Sequence, residues 1–147
     1  MSSPSPSIIV EQERAYTVSV DRALIDNNWI VRSVQGSYWG KTYSREQIEA
    51  ALEQSIVAGA YAGESQIGFV RIVSDGAIFS SITDVFVEPE WRGKGVGSAM
   101  MSTAVALPEV AETICILQAL PLAQLWYMKW GFRLVGGGAG IMQRGPG

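Results

Sequence analysis

Histidine is absent from the 147 residues, and cysteine occurs once, as Cys115. Without histidine there is no Ser-His-Asp triad, no Cys-His dyad and none of the common zinc sites, and a lone cysteine can close no intramolecular disulfide. Proton transfer is left to Tyr, Asp, Glu, Lys and backbone groups, and no metal is expected. Charge is scarce as well: 17% of residues are charged and the formal net charge is −3. That balance lacks the basic face a nucleic-acid binder needs to neutralise phosphates. No apolar run approaches the ~20 residues of a membrane span. The opening MSSPSPS lacks the basic-then-apolar pattern of a secretory signal and reads, with the rest of residues 1–14, as a flexible N-terminal tail. The expectation is a cytoplasmic protein with neither a nucleic-acid nor a membrane partner.

Apolar residues are plentiful at 48%, enough for one hydrophobic core in a chain of this length. No internal repeat or change of composition marks a boundary, so residues 15–147 are expected to form a single domain. Alternating Tyr16, Val18 and Val20 predict a strand over 15–20. Asp26 is placed to cap a helix reaching Gln35, and Ser44-Arg-Glu-Gln47 has the form of a capping box opening a second helix. Residues 56–61 and 66–73 read as a hairpin, and Asp75-Gly76 as a two-residue turn into a strand over 77–87. A helix over 95–107 ends before Pro108. A strand over 113–118, a short helix over 122–129 and a final hairpin of 133–135 with 141–143 complete the order βααβββαβαββ, an α+β fold.

The strongest local signal is DVFVEPEWRGKGVGS, residues 84–98, a strand running through glycines 93, 95 and 97 straight into a helix. Glycines admit close backbone approach, and the free N–H groups and positive dipole end of a helix start bind anions. Arg92 and Lys94 add positive charge there. A P-loop is excluded because the lysine precedes the second glycine and no Ser or Thr follows it. The dinucleotide fingerprint G-x-G-x-x-G fails on spacing, and on the antiparallel meander that precedes the turn. An ordinary glycine-rich turn is the bland alternative.

The run Arg92-Gly-Lys-Gly95-Val-Gly97, after Val87-Glu-Pro89, resembles the acyl-CoA pyrophosphate loop R/Q-x-x-G-x-G/A of the GNAT superfamily of N-acyltransferases. About thirty residues on, Leu125-Trp-Tyr-Met-Lys-Trp-Gly-Phe132 resembles that family's (L/F)-Y-x-K-x-G-F segment, with Tyr127, Lys129, Gly131 and Phe132 matching. The element order extends the resemblance over residues 15–143. It implies a mixed, mostly antiparallel central sheet with helices on both faces, and acetyl-CoA as cosubstrate without a metal. It implies cofactor contacts from Arg92, Gly93, Lys94, Gly95, Val96, Gly97 and Ser98, and backbone pairing with the pantetheine arm near Val85, Phe86 and Val87. One of those strand N–H groups would polarise the thioester carbonyl. The family often carries Asn seven residues before the tyrosine; here that position is Leu120, followed by Pro121, so a cofactor contact there is lost or rebuilt. Many relatives are dimers, which leaves a homodimer open.

Acyl transfer to an amine needs a neutral nucleophile, a stabilised oxyanion and a protonated leaving thiolate. Tyr127 is the candidate acid, by its match to the family's tyrosine; its bland alternative is packing beside Trp126 and Trp130. Asp84 is the candidate base or ammonium ligand, set in an apolar strand where a carboxylate is costly unless paired or functional. A structural pairing with Arg71 on the neighbouring strand is the alternative, and Glu88 is a second choice. Carboxylates of ordinary acidity are weak bases, which favours ammonium binding or a water relay over direct abstraction. Tyr38, Trp39 and Tyr43 lie in a loop that in the family lines the acceptor site, where they could box a cationic or aromatic amine or simply cover the core. Cys115 is expected to be a buried, inert thiol. The reading is transfer of an acetyl group from acetyl-CoA to a primary amine of a small molecule in a ternary complex. A non-catalytic CoA-binding sensor and a protein or peptide N-acetyltransferase are the alternatives.

Overall fold

The computed structural model describes residues 15–146, so the expected tail over residues 1–14 lies outside the described residues. Seven strands form one sheet: β1 (Thr17–Ser19), β2 (Ile56–Ala62), β3 (Ser65–Ser74), β4 (Phe79–Val87), β5 (Ile114–Gln118), β6 (Arg133–Leu134) and β7 (Ile141–Arg144). Their spatial order is β1-β2-β3-β4-β5-β7-β6. All neighbours are antiparallel except β4 and β5. The helices are α1 (Asn27–Gln35), α2 (Arg45–Glu53), α3 (Val96–Ala106), α4 (Pro108–Ala111) and α5 (Pro121–Tyr127). The expected order holds with one insertion. Pro108 does stop α3, but it also opens the single turn α4 at its first position, where the missing proline N–H is no loss.

Sequence chemistry sets the helix starts. The Asp26 side chain accepts from the Trp29 N–H to begin α1. Ser44 and Gln47 form the expected reciprocal box at α2, with the Gln47 N–H donating to Ser44 Oγ at 3.1 Å and the Ser44 N–H to Gln47 Oε1 at 2.9 Å. Between β3 and β4 the two-residue turn is corrected to a four-residue loop. Asp75 Oδ1 accepts from the N–H groups of Ala77, Ile78 and Phe79. Those bonds hold its carboxyl below the ordinary carboxylate range and make the longer loop the better-satisfied one.

The sheet has a core on each face. On one, α1 and α2 bring Trp29, Ile30, Val34, Ile48 and Leu52 onto Val57 and Phe69. On the other, α3 lays Val96, Met100, Met101 and Ala104 over Val70, Ile72, Ile82, Cys115 and Leu117. Cys115 is fully buried, and that burial raises its thiol to about 11, against a smaller opposing pull from Arg144. No helix among the described residues is long and apolar enough to cross a membrane.

An irregularity in β4 redirects its side chains. Arg71 pairs with Asp84 while Ile72 pairs with Ile82, so Thr83 is an extra residue bulged out of the strand. Ile82 and Val85 therefore reach the same α3-side core, although a regular strand would send residues three apart to opposite faces. Asp84 and Phe86 are turned toward the α1–α2 side, where Phe86 packs on Trp29 and Phe69.

Because the α2 box satisfies two backbone donors, Ser44→Ala is expected to lower unfolding free energy by about 1 kcal/mol. Urea titration followed by circular dichroism checks this; a change below a few tenths would mean the cap is not holding α2.

Candidate active site

The bulge sits where β4 leaves β5. Their parallel pairing covers Phe79 to Ser81 against Ile114 to Ile116 and then stops, while β4 runs on to Val87 and β5 to Gln118. Beyond the last pair the strands splay, and backbone groups of β4 face open space rather than a partner strand. A cavity of about 590 Å³ occupies this wedge. Its walls come from Thr83, Asp84 and Val85 on β4, from Leu117 to Ala119 at the end of β5, and from Tyr127 on α5. Tyr38 and Trp39 close one side, and Ala139 and Ile141 form the lip at the final hairpin. That lip is held close by Gly140, whose carbonyl accepts from the Ala119 N–H at 2.9 Å. A Cβ at Gly140 would collide with the Ala119 carbonyl oxygen.

The start of α3 lies just past the far end of β4. Gly95, the residue before the helix, is left-handed at φ 86 and supplies no side-chain cap, so the first N–H groups of the helix have no side-chain partner. Such a terminus has the donors and dipole sign to take an anion. Val96 is buried in the core, and at this loop it offers only its backbone. Lys94 Nζ lies 5.3 Å from the Trp91 ring centroid. Arg92 is tied back toward β4: its Nε donates to the Val87 carbonyl at 2.9 Å, and its guanidinium lies 5.6 Å from the Phe86 ring centroid. The Val87 carbonyl, expected to face a cofactor amide, thus already has a partner. Gly97 lets Trp126 close over the first turn of α3; a Cβ there would lie 3.3 Å from Trp126 Cζ2.

Tyr127 is packed edge-on against Trp126, with ring centroids 4.9 Å apart, and against Phe132 at 6.3 Å. Burial, helped by nearby Tyr38, pushes its phenol up to about 12. Tyr127 therefore keeps its proton across the working pH range, a requirement for an acid. Asp84 Oδ2 accepts from Arg71 Nε at 2.6 Å, and Arg71 Nη1 donates to Ser55 Oγ at 3.1 Å. The Ser55 hydroxyl in turn donates to the Ala51 carbonyl near the end of α2. Glu88 is committed elsewhere, accepting from Trp29 Nε1 at 2.5 Å.

Tyr127, Asp84, Val85, Tyr38 and Trp39 thus meet around one cavity. Phe86 belongs to the opposite core through its side chain, and Tyr43 lines a neighbouring cavity. Residues 92–98 form the turn and helix start beyond the wedge. Sequence reasoning missed Ala119, Ala123, Ala139 and Ile141 as cavity walls; small and aliphatic residues in short segments carry no signal of that role.

A mixed sheet splayed beside an uncapped, glycine-entered helix is the arrangement that the sequence resemblance implies. The family model for the acetyltransferase (GNAT) domain matches residues 53–134, and the chain belongs to that family. An acetyltransferase candidate of the GNAT family from Xanthomonas campestris pv. campestris is 30% identical, with 81% of this chain and 84% of that one aligned at a TM-score of 0.78. The PaiA N-acetyltransferase of Thermoplasma acidophilum, solved in complex with coenzyme A, shares the fold at 17% identity and a TM-score of 0.63, over 88% of this chain and 98% of that one. The acetyltransferase candidate FG08082 of Gibberella zeae is 29% identical over 106 residues, 58% of this chain. The chain spans 60% of that relative's length.

The Arg71–Asp84 pair is mostly buried, with side-chain exposures of 20% and 12%. Removing one charge strands the other. Arg71→Leu is expected to cost about 2 kcal/mol, less than the ~3–5 of a fully buried pair, and Asp84→Asn less than Arg71→Leu. Denaturant unfolding of both variants measures this, and equal, negligible losses would remove the pair from the fold's supports.

Proposed function

We propose that the chain transfers an acetyl group from acetyl-CoA to a primary amine of a small molecule. The observation that carries this is the wedge between β4 and β5 opening beside an uncapped helix start, with a proton-bearing Tyr127 on its wall. The residues present fit the cosubstrate. The N–H groups of residues 96–98, with Arg92 and Lys94 nearby, suit the pyrophosphate. The β4 backbone around Val85 and Phe86, unpaired on its β5 side, suits an amide-bearing arm that would pair as a strand does.

Acetyl-CoA supplies the acetyl group, activated as a thioester. The protein's share is placement and proton handling. A β4 N–H near Val85 is aimed into the wedge to stabilise negative charge developing on a carbonyl oxygen. Tyr127 holds a proton on Oη for the leaving sulfur, and its raised value keeps that proton in place through neutral and moderately alkaline pH. The Asp84 carboxylate, at the same cavity, attracts the acceptor as an ammonium. One ammonium proton leaves to solvent, the N–C bond forms and the C–S bond breaks. Tyr127 gives its proton to the leaving sulfur and is restored by the second proton lost from the nitrogen, so the products are an N-acetylated amine and a free thiol.

In the folded Tyr127→Phe variant, kcat is expected to fall by ~10²–10⁴, the usual scale for loss of a general acid. The acetyl-CoA dissociation constant measured by titration calorimetry should stay within about twofold. Undiminished turnover would take Tyr127 out of the mechanism, and a folded wild-type protein that binds no acetyl-CoA would end the enzyme reading altogether.

The pH profile supplies a separate test. Since the phenol is raised to about 12, kcat should rise as the acceptor deprotonates and show no falling limb up to pH ~10, the ordinary tyrosine value. A falling limb centred below that value would contradict the assignment. The same shift bears on stability. The folded pKa lies above the unfolded one, so its contribution is complete below ~10 and is lost as pH climbs from there toward about 12.

A further inference from the structure

Beside the wedge lies a second cavity of about 380 Å³, between the α1–α2 layer and β3–β4. One wall is aliphatic, with Val34 from α1 and Ile48 and Leu52 from α2; Gln47, Arg71, Thr83 and Asp84 make the polar side, and Tyr43 borders the cavity from the loop. Trp39, Thr83 and Asp84 line both cavities, so the two meet at the Asp84 carboxylate. Arg71 engages Oδ2 of that carboxylate, which leaves Oδ1 as an acceptor at the junction. The second cavity is large enough for a ring, since ~150 Å³ of apolar space already admits benzene.

The charges around these cavities are as informative as their shape. Among the described residues, Arg71 is the sole cationic side chain lining either cavity, and it is already bonded to Asp84 and Ser55. A carboxylate on the acceptor would find no free cation and would lie beside Asp84. A second ammonium, as in a diamine, would have to share Asp84 with the first and with Arg71, since no other carboxylate among the described residues lines the cavity, or lie against Val34, Ile48 and Leu52, an expensive placement.

We propose that this second cavity receives the apolar substituent of the acceptor. The substrate class is then a primary amine bearing an aromatic or branched aliphatic group and no carboxylate, its nitrogen held at Asp84 Oδ1 and facing the wedge. This rests on reading the wedge as the acetyl-CoA site, and it names which amine that site serves.

The test is a set of acceptors at saturating acetyl-CoA: 2-phenylethylamine, 3-methylbutylamine, phenylalanine and 1,4-diaminobutane, with thiol release as the readout. The first two are expected to exceed the last two in kcat/KM by at least ~tenfold, the scale on which a shaped apolar pocket discriminates. Ala51, on α2, lines the second cavity. Ala51→Phe should fill it and raise KM for 2-phenylethylamine by ~tenfold while leaving the calorimetric acetyl-CoA affinity as it was. Ala51→Leu, a smaller insertion, should act in the same direction if the phenylalanine variant does not fold. Preference for phenylalanine or the diamine would overturn the proposal. So would an unchanged acceptor ranking in a folded, acetyl-CoA-binding Ala51 variant. Failure of the wild-type protein to bind acetyl-CoA would instead remove the reading beneath it, and calorimetry separates the two failures.

Discussion

The site depends on a strand that stops pairing on one side. A β-sheet interior normally satisfies every backbone N–H and C=O with a neighbouring strand, and a break in that pattern is costly unless something replaces the lost bonds. Here β4 stays paired with β3 from Ser80 to Val87, apart from the bulged Thr83, and pairs with β5 only over Phe79 to Ser81. The extra residue at Thr83 bends β4 at the point of departure, as bulges do when they raise local twist. The bend and the end of the β4–β5 pairing fall within two residues of each other, and the cavity that Tyr127 lines opens there. Beyond Ser81 the edge of β4 that faces β5 has no strand partner among the described residues, and Arg92 takes up the Val87 carbonyl.

Among the described residues that line the wedge and the second cavity, charge is limited to one ion pair, Arg71 with Asp84. Arg71 is fixed between Asp84 and Ser55, which joins the bent part of β4 to the end of α2. The carboxylate is thereby paired and oriented in a partly buried place where an isolated charge would be disfavoured. The pairing with Arg71 occupies Oδ2 and leaves Oδ1 without a side-chain partner among the described residues at the junction of the two cavities. Tyr127 shows the converse effect: packing by Trp126 and Phe132 and loss of solvent raise its phenol, so burial itself makes it a holder of protons.

Much of this is legible in the sequence, for identifiable reasons. The glycine-rich turn and the Tyr127 segment are short-range patterns whose function depends on residue type and spacing, and the structure places both near the wedge. The Ser44–Gln47 box and the Asp26 cap are local hydrogen bonds within four residues, so sequence reports them well. The loop at Asp75 is longer than the expected turn because a favourable Asp-Gly pair competes with an aspartate able to hold three N–H groups at once. The bulge has a signature that periodicity alone overlooks. Ile82 and Val85 are apolar residues three apart flanking the polar pair Thr83 and Asp84, which no regular strand can bury on one face. The second cavity has none, since it arises where Val34, Ile48 and Leu52 from separate helices fail to fill the space over β3 and β4, a property of tertiary packing alone.

The two hydrophobic cores lie on opposite faces of a single sheet, and β4 contributes to each in turn: Val85 and Val87 to one, Phe86 to the other. The α3 side carries the helix start suited to an anion, and the α1–α2 side carries the walls of the second cavity. The chain is thus modular in cross-section. Drift in the α1–α2 layer can reshape one pocket without repacking Met100, Met101 or Phe132 beneath α3. A lineage built on this plan can vary the space beside α1 and α2 while inheriting the packing beneath α3 unaltered.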